Sequence, residues 1–354
     1  MSTSRHCPDC DLPSAQSLNR RQFVQATAVA AAAASSSGLL LPPHVARAAE
    51  DANAQPEQLV QRLYESLSDA QRSRICFAWD HQDERGLLRT HVSNNWSITD
   101  PKSLNVGGDF YTADQRDMIE AIFLGMYNPD FHEKIRKQLQ DDAGGYGRAQ
   151  TIAIFGEPGN GKWEFVMTGR HLTIRCDADS TEHVAFGGPI FYGHAAQGFD
   201  EAADHPGNVY WHQALKANKL FEMLDGKQRD LALISTAPYE SEVAFRGAAG
   251  GFAGIPIAEL SADQKEHAQA VLTTLLEPYR VSDRDQALQC LTAQGGLDKC
   301  SLAFFREDDI GNDSVWDIWR IEGPSFVWHY RGAPHVHVWV NIADDPSVAT
   351  NAAG

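Results

Sequence analysis

The sequence predicts an α+β fold built from two similar units, in each of which two helices precede a set of antiparallel strands. Three observations predict it: four helix starts share one capping pattern, strand-like segments follow with short connections, and these landmarks recur at nearly one spacing. Because short connections between strands require antiparallel hairpins, we expect the helices to pack on the resulting sheet or sheets.

The N-terminal segment is typical of a twin-arginine (Tat) export signal. Arg20 and Arg21 precede an alanine-rich apolar run over 26–41, and the small-x-small segment 46–48 resembles a cleavage site. This order predicts a Tat signal over residues 1–48, the Tat translocon as a partner during export, and a periplasmic or extracellular location. The apolar run is too short for a stable membrane span, although an uncleaved anchor is the alternative.

The composition is acidic. The chain of 354 residues has a formal net charge of −17 at pH 7, and loss of residues 1–48, which carry four Arg and two Asp, would leave −19. Such a charge opposes binding to nucleic acid and to anionic lipid surfaces. We therefore expect no nucleic acid partner.

The cysteines of the sequence permit one disulfide without establishing it. Of six cysteines, Cys7 and Cys10 lie in the predicted signal. An exported destination permits disulfides among the remaining four. Cys290 and Cys300 are the closest pair in the sequence, but spacing alone does not establish the geometry that a disulfide requires.

Capping boxes mark the four helix starts. In each, a Ser, Thr or Asp stands three residues before a Gln, so that each side chain satisfies a backbone amide at the other position. Pro129 restarts one helix and Gly144 ends it. The four pairs are Ser68/Gln71, Thr112/Gln115, Asp225/Gln228 and Ser261/Gln264. Helices are predicted over 57–77, 112–141, 209–236, 261–279 and 282–294.

The landmarks of the first half return in the second. Gln115 and Gln264 are 149 residues apart, and the strand-like segment 151–155 recurs 150 residues later as 301–305. This regular spacing predicts an ancient internal duplication rather than a short-period solenoid. The predicted strands are 150–155, 163–168, 171–177 and 183–187, then 301–305, 315–321, 325–330 and 335–340.

The same pattern predicts how the mature chain is organised. Residues 49–56 form a disordered lead-in, 57–200 the first α+β repeat, 201–345 the second repeat, and 346–354 a loose tail. The β-units of the two repeats are expected to be similar and to join in one sheet or to form two.

One segment partly matches a nucleotide-binding motif. Residues 156–162 fit most of the glycine-rich phosphate-binding loop, but Trp163 stands where magnesium coordination requires Ser or Thr. The residues that follow read as a strand, whereas a phosphate loop must lead into a helix. We therefore interpret the segment as a hairpin loop and expect no nucleotide cofactor.

Three histidines form the candidate site. His335 and His337 are two apart on a predicted strand, so their side chains share one face. A His-x-His pair gives a metal two imidazole ligands, and His171 is the candidate for a third from a neighbouring strand. The alternative is that these histidines are exposed to solvent or hydrogen-bonded in the core.

Other histidines are weaker candidates. His183 corresponds to His335 by the repeat, and His194 and His329 also lie near predicted strands. The sequence contains no nucleophile elbow and no His-Glu-x-x-His motif, so it names neither a serine hydrolase nor a metalloprotease.

A polar cluster near the N-terminus is expected to line the same cleft. Residues 80–85 and His91 stand between apolar segments. Within this cluster, Asp83 and Arg85 are further catalytic candidates, since a carboxylate beside a histidine makes a general base.

Two parts of the chain resemble signatures of a known family. Segment 169–172 (Gly-Arg-His-Leu) is similar to its Gly-x-His-Leu motif, and segment 319–327 followed by 335–337 is similar to its Ile-x-Gly-Pro strand and His-x-His strand. From about residue 59 to residue 345, the chain resembles the uncharacterised family called domain of unknown function 3500, which is found in bacteria and fungi.

The resemblance implies no established activity. It places the family's motifs on His171, His335 and His337, which strengthens their interpretation as metal ligands or catalytic residues. The family often has His where Arg170 stands, so this chain lacks an imidazole at that position.

Two functions follow as hypotheses. The first is an exported enzyme that uses zinc, copper or iron, with an open position beside the three histidines; zinc favours hydrolysis, and copper or iron favours redox chemistry. The second is a non-enzymatic protein of the cell envelope that binds an unknown small-molecule or polymer ligand on aromatic side chains. Strand spacing makes these aromatics more typical of a core. They are Trp163, Trp316, Trp319, Trp328 and Trp339.

Overall fold

The computed structural model of the protein describes residues 55–198, 205–309 and 315–352. The predicted Tat signal and almost all of the predicted lead-in lie outside the described residues. None of the helices in these ranges combines the length and the hydropathy that a membrane span requires.

The first half contains helices at the predicted places, followed by a strand meander. The helices are α1 (Pro56–Ser66), α2 (Asp69–Ile75), α3 (Ala113–Gly125) and α4 (His132–Ala143). The strands are β1 (Cys76–Phe77), β2 (Gln82–Asp83), β3 (Gly86–Leu87), β4 (Thr151–Gly156), β5 (Trp163–Gly169), β6 (Leu172–Cys176) and β7 (Ile190–His194).

The second half has a similar order of elements, with two short strands where the first half has three. Its helices are α5 (Trp211–Glu222), α6 (Gly226–Ala232), α7 (Ala262–Leu276) and α8 (Val281–Ala293). Its strands are β8 (Leu233–Ile234), β9 (Ile255–Pro256), β10 (Ser301–Phe305), β11 (Ile318–Gly323), β12 (Phe326–Arg331) and β13 (Val336–Ile342).

One large mixed sheet organises the described residues. Its strand order is β1-β4-β5-β6-β7-β13-β12-β11-β10-β8, with β9 also pairing with β10. The two edges of the sheet are built in the same way. At each edge a two-residue strand lies parallel to its neighbour, and the strands between the edges are antiparallel. At the centre, β7 pairs antiparallel with β13 and joins the two halves. The protein is therefore a mixed α/β fold with both halves in one sheet.

All four predicted capping boxes are present, and they contact one another in pairs. The side chain of Gln71 donates to Gln115 at 2.8 Å, and in the other half Gln228 donates to Gln264 at 3.0 Å. The same glutamine that caps one helix thus fixes that helix to its neighbour.

The two faces of the sheet are covered differently. Ile152 and Ile154 point into the main core, which the helices complete, whereas Ala153 and Phe155 point to the opposite face. That opposite face packs against irregular segments in small separate clusters, one of which includes Leu88. The irregular segments are important because they bring polar side chains onto the sheet.

The hairpin interpretation of 156–162 is correct. These residues connect β4 to β5, and Trp163 begins a strand rather than a helix.

The predicted strand over 183–187 is wrong. His183 and Phe186 have φ values of 71° and 59°, and the glycines at 187 and 188 also have positive φ. An extended strand does not accommodate these angles, so the segment forms a tight turn and β7 begins only at Ile190. The helix predicted over 57–77 is likewise two helices, because Leu67 is extended.

The disulfide that the sequence left open is absent: all four cysteines among the described residues are free thiols, Cys290 and Cys300 included. In the segment predicted as a loose tail, the backbone amide of Asn351 donates to Thr90, and its side chain donates to the carbonyl of Leu87. Looseness of the segment as a whole stays a prediction.

Candidate metal centre

Three imidazole rings meet in the structure. The Nε2 atom of His337 lies 3.1 Å from Nε2 of His171 and 3.0 Å from Nε2 of His335. All three side chains are fully buried, and one ligand nitrogen from each lies within 4.8 Å of the others. The structure thus brings together the three histidines on which the sequence prediction depended.

The β5–β6 hairpin places His171 in an unusual conformation. His171 has a φ of 52°, a value that L residues other than Gly adopt uncommonly and at an energetic cost. Side chains from outside the hairpin hold both of its backbone polar groups: the amide donates to Asn95 at 3.0 Å, and the carbonyl accepts from Gln138 at 3.0 Å. Strain that is fixed in this way is typical of functional sites.

The other two rings come from β13 at the centre of the sheet and from the residue directly before it. His337 lies on β13, where it pairs with Arg331 of β12 and Gly193 of β7. The strand predicted over 335–340 begins one residue later, so His335 lies directly before it. A Cβ atom on Gly193 would lie 2.2 Å from the carbonyl oxygen of Val336 and 3.2 Å from Cδ2 of His171. Gly193 therefore leaves the space in which the ring of His171 approaches His337.

Two carboxylates contact the outer nitrogens of these rings. Nδ1 of His337 lies 3.1 and 3.2 Å from the two oxygens of Glu240. Nδ1 of His171 lies 2.9 Å from Asp142, at ion-pair distance but not aligned as a hydrogen bond. Glu240 also pairs with Arg331 at 3.1 Å, and Asp142 accepts from the backbone of Ala195. Carboxylates in this position orient metal-ligating histidines in many metalloproteins.

The contact with Glu240 fixes the proton of His337. An ionised carboxylate only accepts, so Nδ1 of His337 donates, and its Nε2 carries a lone pair in the neutral ring. That single lone pair faces two other Nε2 atoms at hydrogen-bond distance. It can accept a hydrogen bond from only one of them, so at least one of the two close nitrogen contacts lacks a hydrogen bond unless a cation lies between the rings.

Burial keeps the rings of His171 and His337 neutral. It lowers the pKa of His171 and of His337 well below the ordinary value, and the positive charges of Arg170 and Arg331 lower both further. Burial raises the pKa of Asp142 to about 7, against the opposing effect of His194. Neutral imidazoles are the form that binds metal ions.

The other candidate histidines lie elsewhere. His183 is exposed and pairs with Asp344 at 2.9 Å. His194 is buried beside Asp141 at 3.1 Å. His329 accepts from Arg320 and lines a neighbouring cleft. The strands do not support the predicted correspondence of His183 to His335. The first-half strand that lies beside β13 is β7, and β7 begins only at Ile190, well after His183.

Asp83 and Arg85 contact each other in the small β2–β3 hairpin. Arg85 also donates to the carbonyls of Ser97 and Ile98, and its guanidinium lies over the ring of Trp96. This places the pair near the segment that holds His171 through Asn95, but not in the three-histidine group. Their catalytic role stays a prediction.

Sequence reasoning missed the supporting residues. Glu240 and Asn95 belong to irregular segments without a motif, and Asp142 reads as an ordinary polar residue near the end of a helix. Gly193 carried the one available signal, because a glycine inside a strand often marks a close approach by another group.

Comparison with protein families identifies the family of the chain. The family described as Protein of unknown function (DUF3500) matches residues 49–342, which is most of the chain. The chain belongs to the DUF3500 family. The matched range includes all three histidines, so the centre of this DUF3500 protein lies within the family region.

Neither the curated proteins nor the solved structures include a match to this DUF3500 protein. Membership of DUF3500 brings no activity with it, and the chemistry of the centre follows from its geometry.

Proposed function

We propose that this protein is a metal-dependent enzyme whose divalent ion is bound by Nε2 of His171, His335 and His337. The convergence of three buried Nε2 atoms carries the proposal. Three imidazoles leave a position for water or substrate, as catalytic zinc sites require. Zinc would supply a bound hydroxide for hydrolysis, whereas copper or iron would supply redox chemistry.

The spacing of the nitrogens supports a metal. Ligands at about 2.0–2.1 Å from a tetrahedral ion lie roughly 3.3 Å from one another. The observed contacts of His337 are 3.1 and 3.0 Å, so only small shifts are needed to admit an ion. The alternative is that the imidazoles hydrogen-bond to one another. In that case one of the two close contacts of His337 would lack a hydrogen bond.

Metal analysis tests the proposal. Protein purified without a histidine tag should contain about one equivalent of zinc, copper or iron, as a three-ligand site predicts. His337→Ala should lose the metal, whereas the matched control His183→Ala should keep it, because His183 is an exposed histidine outside the centre. A wild-type protein that stays free of metal after incubation with each ion would contradict the proposal.

We also infer that the two halves arose by duplication, and this inference bears on function. His171 and Ser325 occupy the same position in the β5–β6 and β11–β12 hairpins. Near the end of α4, Asp142 approaches His171, and directly after α8, Gln294 accepts from Ser325 at 2.8 Å. His171 and Asp142 in the first half thus stand where the second half has Ser325 and Gln294, and this difference supports a specific role for the β5–β6 hairpin.

A second candidate is a ligand-binding protein of the cell envelope in which the metal is structural. Complete burial of the three rings favours it, because a substrate must reach a catalytic ion. The two candidates differ in activity. Removal and return of the metal should abolish and restore hydrolysis of a panel of esters, amides and phosphate esters only if the protein is a hydrolase.

Export by the Tat route is part of the proposal and depends on Arg20 and Arg21. Replacement of both by Lys should leave the protein in the cytoplasmic fraction, whereas Arg5→Lys, upstream of the pair, should not. Equal amounts of both variants in the periplasmic or secreted fraction would contradict it.

A further inference from the structure

A cleft lies on the loop-covered face of the sheet, beside the candidate metal centre. Its volume is about 640 Å³, which is in the range of small-molecule sites. Segment 236–242 forms one wall, residues after β10 form another, and β11 and β12 supply the floor. Glu240 belongs to both sites, since it lines the cleft and contacts His337. The lining residues used below are Tyr239, Glu240, Glu242, Glu307, Asp308, His329 and Arg331.

His329 presents a hydrogen-bond donor to this cleft. Its Nδ1 lies 3.1 Å from Nε of Arg320, and a guanidinium group only donates. Nδ1 therefore accepts, and the proton of the neutral ring is on Nε2. The residue is 1% exposed, and Nε2 has no acceptor among the described residues. A donor that lines a cleft and lacks a protein partner is available to a ligand that accepts a hydrogen bond.

The charges of the lining limit the class of ligand. Four carboxylates, on Glu240, Glu242, Glu307 and Asp308, disfavour an anion. Arg331 on the floor, paired with Glu240 at 3.1 Å, disfavours a simple cation at that point. A neutral ligand that carries both donors and acceptors avoids both penalties.

Hydroxyl groups are neutral and carry both a donor and acceptors. Each donates one hydrogen bond and accepts others, so a polyol can donate to the carboxylates and accept from His329 and Arg331. Tyr239, which is 79% exposed, adds an aromatic surface at the cleft. Aromatic rings stack on apolar faces while their polar edge stays hydrated.

We propose that this cleft binds a neutral carbohydrate, which stacks on Tyr239, accepts a hydrogen bond from Nε2 of His329 and donates hydroxyl groups to the surrounding carboxylates. The inference goes beyond the proposed metal-dependent activity, because Tyr239 and His329 line the cleft and do not belong to the three-histidine group.

Binding of a saccharide panel tests the inference. The probes are cellobiose, maltose, lactose and diacetylchitobiose, with galacturonate as the anionic probe and putrescine as the cationic one. Saturation-transfer NMR and calorimetry on the full chain should show that at least one disaccharide binds. Tyr239→Ala should weaken that binding about tenfold, whereas the control Leu231→Ala, which removes another exposed apolar side chain, should not change it.

A second variant distinguishes the ligand classes. Glu242→Gln removes a charge but keeps a hydrogen-bond acceptor, so the affinity for the disaccharide should change less than about threefold, while any binding of putrescine should fall sharply. Absence of binding by every disaccharide at millimolar concentration, or binding that Tyr239→Ala leaves unchanged, would overturn the inference. Preferential binding of putrescine or galacturonate would also overturn it.

Repeating the titration after removal of metal separates the two proposals. Disaccharide binding that persists without metal supports the cleft whatever the ion does. Metal binding without any disaccharide binding contradicts the cleft alone and leaves the metal centre as proposed.

Discussion

Glu240 links the two proposed sites. Its carboxylate contacts Nδ1 of His337, pairs with Arg331 and lines the cleft. Carboxylates that accept from a ligating histidine orient the ring and raise its basicity. At the residue scale, the properties of the centre therefore depend on a side chain that does not itself belong to the three-histidine group.

Glu240→Gln should weaken metal binding without removing it. The amide oxygen still accepts from Nδ1 of His337 but no longer polarises the ring as an anion does, so affinity should fall about 10- to 100-fold. Competition with a chromophoric chelator measures this change. Glu242→Gln is the matched control, since Glu242 lines the same cleft and does not contact His337; an equal loss in both variants would argue against a specific role for Glu240.

Gly193→Ala should destabilise both the fold and the centre. The added Cβ would lie 2.2 Å from the carbonyl oxygen of Val336, which is backbone of the paired strand. Overpacking of this kind costs about 1–3 kcal/mol, and it also displaces His171. Urea unfolding and metal content are the measurements. Gly198→Ala has open space around the new Cβ and should resemble the wild type, so two similarly destabilised variants would contradict this explanation.

At the scale of elements, the glutamines of the capping boxes connect helices as well as ending them. Gln264 accepts from the backbone of Ser261 at its own helix start, and its amide donates to the carbonyl of Met223 and to Gln228, both at 2.8 Å. A local sequence pattern thus predicts the helix boundary, while the interhelical contact depends on the packing of α6 and α7.

Gln264→Ala should cost about 1–3 kcal/mol of the free energy of unfolding, because it leaves the partly buried backbone groups of Ser261 and Met223 without their partner. Thermal or chemical denaturation measures the loss. Gln269→Ala, at an exposed position of the same helix, controls for the change in side chain and helix propensity. Comparable stability of the two variants would show that the capping contacts contribute little.

Strand prediction succeeded where the pattern is local. The hairpins from β4 to β6 and from β10 to β13 follow from short polar connections between apolar runs. It failed at 183–187, where Phe186 has a positive φ that its residue type does not announce. The predicted strand ended at residue 187, whereas β7 covers Ile190–His194. The prediction therefore also missed the strand that pairs with β13 at His337.

At the scale of the whole molecule, buried neutral histidines set the response to acid. Burial lowers the pKa of His91 to about 4, with Arg85 and Arg175 lowering it further. The unfolded chain takes up a proton below about pH 6.5, whereas folded His91 stays neutral down to about pH 4. Since the unfolded state binds more protons in this window, stability should fall as pH falls from about 6.5 to about 4.

His91→Gln should make this pH dependence shallower. The melting temperature measured between pH 7.5 and 4 should fall less steeply in the variant than in the wild type. His183→Gln is the control with the opposite sign: Asp344 raises the pKa of exposed His183, so its loss should not reduce the acid sensitivity. A slope unchanged by His91→Gln would show that other groups dominate the response.

The sequence by itself determined the local features of this protein: the helix starts, most of the hairpins, and the two-residue spacing that keeps His335 close to His337. These follow from contacts between residues close in the chain. The sequence offered His171 as the third ring, but only the tertiary structure decided that it lies beside His337, which is 166 residues away. The contacts of Glu240 with His337 and of Asp142 with His171 also come from the tertiary structure alone. The physical reason is that the order of strands in the sheet, and the irregular segments that cover it, set which distant side chains meet.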